Sequence, residues 1–351
     1  TRSFVLFLCN RNHPDGSGNV LNLREEIGTL AAGYVLTATA QERSESDGPQ
    51  RVVQGVERLV AENFDRLRGR RIGLITNHTG RDRNGVSTIQ QFLRAKELEL
   101  KALFSPEHEI EGLFDEHVAD SQYAGAALPI YSLYGASKEP SAESLDGVDT
   151  LVFDIQDIGC RFYTYISTMG LAMRAAEKQG LRFVVLDRLN PIGGQTIEGP
   201  ARTGESAFVA FHDIPIRHGM TVGELAQLYR AERFPGLDLE VVELVGWRRD
   251  LWMDQTDVSW VNPSPNMRSL TAATLYPGIG ILEFADLSVG RGTPTPFEHI
   301  GAPYIDHDAL LEKLTSPSVP GLRIDTTEFT PDASKLAGQR CRGLAFHLTD
   351  R

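Results

Sequence analysis

Apolar residues recur at the spacing of one helical face through Val52, Val56, Leu59, Val60, Phe64 and Leu67, which predicts a helix over residues 51–67. Short apolar runs then alternate with longer amphipathic stretches. RIGLITN (71–77) reads as a buried strand, 86–95 as a helix and 100–104 as a second strand. A third strand is expected at 150–153, a helix at 165–179 with Gly180 as its C-cap, and a fourth strand at 182–186. Thr221, with Glu224 three residues on, has the form of a capping box opening a helix over 221–231, and 239–244 supplies a fifth strand. Strands alternating with helices predict an α/β fold: a mostly parallel sheet with helices on both faces. From about residue 301 the rhythm changes. A short helical stretch (310–314) and two strand-like runs (322–324 and 344–347) predict the beginning of a smaller C-terminal α/β domain. The expected division is a leader over 1–50, a catalytic domain over 51–300 and the small domain over 301–351.

The first fifty residues stand apart from this pattern. LAAGYVLTATA (30–40) is apolar and ends in Ala38-Thr39-Ala40, the small-x-small form of a signal-peptidase site, although Glu25 and Glu26 precede it where positive charge is usual. The expectation is a signal-like segment and a secreted or periplasmic protein. No apolar run is long enough to span a bilayer, so stable membrane insertion is not expected. A net charge of -12 argues against nucleic acid as a partner, because phosphate binding calls for a basic face. Three scattered cysteines (Cys9, Cys160, Cys341) make neither a disulfide framework nor a zinc cluster.

The loops that leave the strands carry the chemistry. The first strand leads into Asn77 and His78, and the second into Ser105-Pro106-Glu107-His108. After the third come Asp154, Gln156, Asp157, Arg161, Tyr163 and Tyr165; after the fourth, Asp187, Arg188, Asn190 and then Glu198. In a parallel sheet these loops converge on one edge, where ligands of open α/β sheets bind. The loop after the first strand lacks the glycine spacing of a dinucleotide site, and neither a phosphate-binding GxxxxGK[ST] loop nor a GxSxG elbow occurs. No compact metal-ligand set is present, so neither metal nor cofactor is expected. Cys160 has no base beside it in sequence and reads as core. Carboxylates remain, and glycoside hydrolysis commonly uses two of them. Glu107 and Glu198 are the preferred pair, with Asp154 and Asp187 close competitors; each also has a simpler explanation as a loop or strand-end carboxylate. His218, Asn266 and Arg291 lie in further polar loops suited to holding a substrate, and Arg161, Arg188, Arg217 and Arg291 are forks that fit a carboxylate.

Nine ordered motifs carry a resemblance to a known family. GLITNHTG (73–80), SPEH (105–108), LPIYSLYG (128–135), FDIQDIGCRFYTYIST (153–168), LDRLNPIGG (186–194), EGP (198–200), IRHGMTVGELA (216–226), NPSPNM (262–267) and SVGRGTPTPFEHIGAP (288–303) closely resemble the exo-acting β-N-acetylmuramidases. The resemblance implies a Rossmann-like domain, a smaller C-terminal α/β domain and an active site in the cleft between them. It also implies removal of N-acetylmuramic acid from the non-reducing ends of peptidoglycan fragments, with glutamates doing the chemistry and Glu107 in the matching SPEH motif. Two positions depart from the family pattern: Glu109 follows PEH where glycine is usual, and Leu189 stands in DRLNP where proline is usual. A non-catalytic protein that binds cell-wall fragments in the same cleft is the competing reading.

Overall fold

A computed structural model describes residues 48–106, 121–123, 128–135, 137–315 and 319–350. The described residues from Pro49 onward belong to one compact unit. Its larger sheet has seven strands in the order β3-β4-β2-β1-β5-β6-β7. These are β1 (Arg71–Thr76), β2 (Glu99–Ser105), β3 (Ser121–Gln122), β4 (Pro129–Ser132), β5 (Thr150–Asp154), β6 (Arg182–Leu186) and β7 (Asp238–Val242). All pairings are parallel except that of the two-residue edge strand β3 with β4.

Side chains of the central strands alternate between two cores, as a period of two requires. Ile72, Leu74, Val152, Val184 and Leu186 face one cluster, which helices α1 (Gly55–Ala61) and α2 (Thr88–Arg94) close with Val56, Leu59, Ile89 and Phe92. Ile75, Leu151, Phe153, Phe183 and Val185 face the other, closed by α3 (Tyr165–Gln179) and α4 (Val222–Glu232) through Met169, Met173, Leu225 and Tyr229. Helices therefore cover both faces, and the central strands β1, β5 and β6 read as near-continuous apolar runs because neither of their faces meets water.

The chain winds from β1 outward through β2 to β4, then returns to the other side of β1 and winds outward again through β5, β6 and β7. The direction reverses between β1 and β5. A crevice at the carboxyl ends of those two strands is the geometric consequence, and it is the usual ligand position in doubly wound sheets.

Helix α5 (Leu270–Ile279) leads to a second sheet, antiparallel and three-stranded, in the order β8-β10-β9. Its strands are β8 (His299–Ala302), β9 (Leu322–Phe329) and β10 (Cys341–Leu348), with α6 (His307–Thr315) between β8 and β9. Phe297, Ile300, Leu344 and Phe346 join the same apolar cluster as α3 and α4, so the two sheets share a core. No helix among the described residues is long and apolar enough to cross a membrane.

Candidate active site

Both strands at the reversal end in polar residues whose side chains are locked. Asn77, just past β1, accepts at Oδ1 from the Thr79 amide (2.9 Å) and from the Thr79 hydroxyl (2.6 Å). Those two donors orient the amide, and its buried Nδ2 is left with no hydrogen-bond partner among the described residues. Gly80 turns directly beneath; a Cβ there would stand 2.1 Å from Thr76 Oγ1, so only glycine lets the loop pass this close.

Asp154 ends β5 with no solvent exposure. Arg188 grips it bidentately, Nε to Oδ1 at 2.6 Å and Nη2 to Oδ2 at 3.0 Å, and Thr88 donates its hydroxyl to Oδ2. The same guanidinium donates to Gln54 Oε1 (3.2 Å) and to the Arg81 carbonyl (3.2 Å). Carboxylate and fork are thus committed to each other, tying the loops after β1, β5 and β6 together. In this geometry Asp154 positions other groups, and Arg188 has no free edge for a substrate carboxylate.

Gln156 donates from Nε2 to the Asp157 and Leu189 carbonyls (2.7 and 2.9 Å). Leu189, the departure in DRLNP, is buried with Val52 and Met253, so it gains apolar contact at that position. Asp157 is buried; its Oδ2 accepts from the Gly159 amide (2.7 Å) and meets His218 Nε2 at 3.2 Å. Asn190 holds the start of α4 through Nδ2 to the Met220 carbonyl (3.0 Å). Asp187 accepts from the Gly223 amide (2.7 Å) and the Thr221 hydroxyl (3.1 Å) at the head of α4. Burial nevertheless outweighs those donors and raises its carboxyl to about 6.

Glu198 keeps its side chain 28% exposed and pairs with Arg217 Nη1 at 3.0 Å. The Arg217 guanidinium also lies 5.2 Å over the Trp252 ring. Arg161 donates through Nη1 to the carbonyls of Pro200 (2.8 Å) and Ile214. Its partners among the described residues are thus carbonyls rather than carboxylates. Burial, together with the nearby Arg202 charge, lowers its basicity.

The aromatic residues sit behind this edge. Tyr163 and Tyr165 pack edge to face at 5.1 Å, and the buried Tyr165 hydroxyl donates to the Pro263 carbonyl (2.6 Å). They act as a wall rather than a stacking platform. His78 Nε2 lies 2.6 Å from the Asn262 carbonyl, which fastens the NPSPN loop and with it the buried Asn266 to the loop after β1. Arg291 pairs with Glu283 (2.6 Å) and packs on Phe297 in the segment that leads to the small sheet. Cys160 is fully buried, and burial pushes its thiol up, as expected of a core cysteine. Glu107 and His108, like Glu109, lie outside the described residues. Among the described residues no His, Cys, Asp and Glu side chains gather as a metal set. Gln54 and Thr88, which hold Arg188 and Asp154, carry no signal in the sequence: they lie 134 and 66 positions from their partners.

A doubly wound sheet, with carboxylates, amides and guanidiniums interlocked at its reversal point and a small antiparallel sheet appended, defines the class. The chain belongs to the exo-β-N-acetylmuramidase NamZ family, whose N-terminal model matches residues 72–271 and whose C-terminal model matches 274–351. It is 42% identical over 330 residues to the peptidoglycan β-N-acetylmuramidase NamZ of Bacillus subtilis, covering 93% of this chain and 78% of that protein. A DUF1343 family protein from Bacteroides fragilis has a similar structure, with a TM-score of 0.80, 39% identity and coverage of 86% of this chain and 78% of the other. A second from the same organism gives 0.69 at 29% identity, covering 86% and 77%.

Proposed function

We propose that this protein is an exo-acting glycosidase that removes terminal N-acetylmuramic acid from the non-reducing ends of peptidoglycan fragments. The carrying observation is the 42% identity to a peptidoglycan β-N-acetylmuramidase over nearly the whole chain. Its physical counterpart is the gathering of polar loops where the sheet reverses. Glu107 of the SPEH motif serves as proton donor to the leaving oxygen. Glu198, partly open to solvent and paired with a cation, suits the second carboxylate role. Asp154 is assigned a positioning role, since Arg188 and Thr88 occupy both its oxygens.

Asn77 Nδ2 is a donor already aimed and unspent, suited to a sugar hydroxyl or acetamido carbonyl. Arg161 is the fork assigned to the lactyl carboxylate, the charge that separates this sugar from N-acetylglucosamine. The 30–40 segment supports action outside the cytoplasm; fractionating cells that express the chain with and without it tests that placement. The function itself is tested by release of a chromophore from a muramic acid β-glycoside. Glu107→Gln and Glu198→Gln are each expected to lose activity by about 10²-fold or more, as removal of a general acid or base does. A wild-type rate in either variant removes that residue from the mechanism, and no release by the unaltered protein sinks the reading.

A further inference from the structure

His218 and Asp157 lie under the crevice, and the glycosidase chemistry gives them no task. The His218 side chain has no exposure and that of Asp157 has 6%. The Met220 amide donates to His218 Nδ1 at 3.2 Å, so the ring proton sits on Nε2 and points at Asp157 Oδ2, 3.2 Å away. Both ring nitrogens are spent, which leaves the imidazole no edge for a substrate. Asp157 Oδ1 is buried without a hydrogen-bond partner among the described residues, and so is the hydroxyl of Tyr229, whose acidity is suppressed by burial first and by the nearby Asp157 second. A buried carboxylate oxygen left unsatisfied is costly, so this arrangement costs stability that an apolar pair of similar volume would not.

What the pair holds is the segment carrying Arg217. The Arg161 amide donates to the Ile216 carbonyl (2.8 Å) and the His218 amide to the Gly159 carbonyl (3.3 Å). On its other side Arg217 exchanges backbone bonds with Glu198 at 2.9 and 3.1 Å. The residues around Arg217 therefore form a short rung between the loop after β5 and the Glu198 loop, bridged to Cys160 on one side and Glu198 on the other. The Arg217 guanidinium crosses that rung to Glu198.

We propose that His218 and Asp157 form a positioning pair that sets the Glu198 carboxylate through Arg217. The proposal rests on Glu198 being the second carboxylate of the glycosidase. Two substitutions divide the imidazole's bonds. His218→Gln places an amide donor near the Nε2 position and keeps the bond to Asp157; His218→Asn places its amide near Nδ1, keeps a partner for the Met220 amide and leaves Asp157 with the Gly159 amide but no side-chain donor. Both are polar and small enough for the site, and melting temperature with N-acetylmuramic acid affinity checks the fold.

His218→Asn is expected to lower kcat on the order of 10²-fold, the scale of a misplaced catalytic group, with KM unchanged. His218→Gln retains most of the rate, and His218→Asn adds little further loss in an Arg217→Lys background. Equal rates for the Asn and Gln variants, or a loss confined to KM and melting temperature, overturns the pair while Glu198→Gln remains inactive. A fully active Glu198→Gln overturns the Glu198 reading and the pair with it.

Discussion

Arg188 shows what a single buried charge does to this site. A guanidinium only 4% exposed has to be met by a carboxylate and further acceptors, and Asp154, Gln54 and the Arg81 carbonyl provide them. Because Arg188 and those acceptors lie on four separate segments, the charge requirement of one side chain fixes the relative placement of the loops at the sheet reversal. Arg188→Met leaves Asp154 buried and unpaired, and is expected to cost about 3–5 kcal/mol in urea unfolding. Asp154→Leu combined with Arg188→Met recovers a large part of that loss, since no buried charge remains, yet glycosidase activity stays low because the loops have lost their common anchor. If the single and double variants prove equally stable, the pair is not desolvated as the geometry requires.

The elements differ in how far their sequence reveals them. The five strands of the parallel sheet expected from apolar runs are present; β1, β5 and β6 are buried along nearly their whole length, so composition alone marks them, whereas β7 at the edge is mostly half-buried. Their bounds differ from the expected ones by at most one residue at either end, except in the fifth, which moves from 239–244 to Asp238–Val242. The long first helix does not form as expected. It stops at Ala61, Asn63 and Phe64 take positive φ of 50° and 56°, and a single 3-10 turn follows over Asp65–Leu67. Both pieces turn apolar side chains to the same core, so the spacing continues across a break it cannot report.

Helix α5 was hidden by Pro277 in its last turn, and most of β9 by Asp325, Thr326, Thr327 and Glu328, polar residues that pair with β10 at a largely exposed edge. The site was legible to the same extent: the loops could be read as strand ends rich in charge, whereas their partners on distant segments could not. Two buried titratable groups at element ends also contribute to the response to acid. His299 begins β8, and burial lowers its pKa from 6.5 to about 4; it stabilises above pH 6.5, and that contribution is lost as pH falls toward 4, at most about 3 kcal/mol. Asp187 caps α4 with a carboxyl raised from 3.8 to about 6, so its contribution is full below pH 3.8 and is lost as pH rises toward 6. Between about pH 4 and 6 the two oppose each other. Across that window the melting temperature is expected to rise with pH more steeply in Asp187→Asn than in the unaltered protein, and to turn toward falling with pH in His299→Gln, where the Asp187 contribution is left unopposed; identical slopes in both variants would remove these groups as the source.

At the scale of the molecule, the question is whether the small antiparallel sheet is a separate folding unit, as its change of sequence rhythm suggests, or an extension of the large one. Phe297 sits at the junction with 1% exposure, its ring 4.7 Å from Tyr276 of α5. It belongs to the apolar cluster that also takes in Met169 and Met173 of α3 and Leu344 of β10. It adopts a positive φ of 65°, which a bulky residue tolerates only where surrounding packing imposes it. Alanine gains nothing there from the backbone, because its Cβ meets the same left-handed penalty, and it gives up nearly the whole buried ring. Phe297→Ala is therefore expected to cost about 3–5 kcal/mol. The cost should fall on both sheets together: one calorimetric transition moves down, and amide protection in α3 and β10 declines in parallel. Two resolved transitions, with β8, β9 and β10 opening while α3 keeps its protection, would show that the shared apolar cluster does not couple the two sheets and that a glycan at the sheet reversal is held by the large sheet's loops alone.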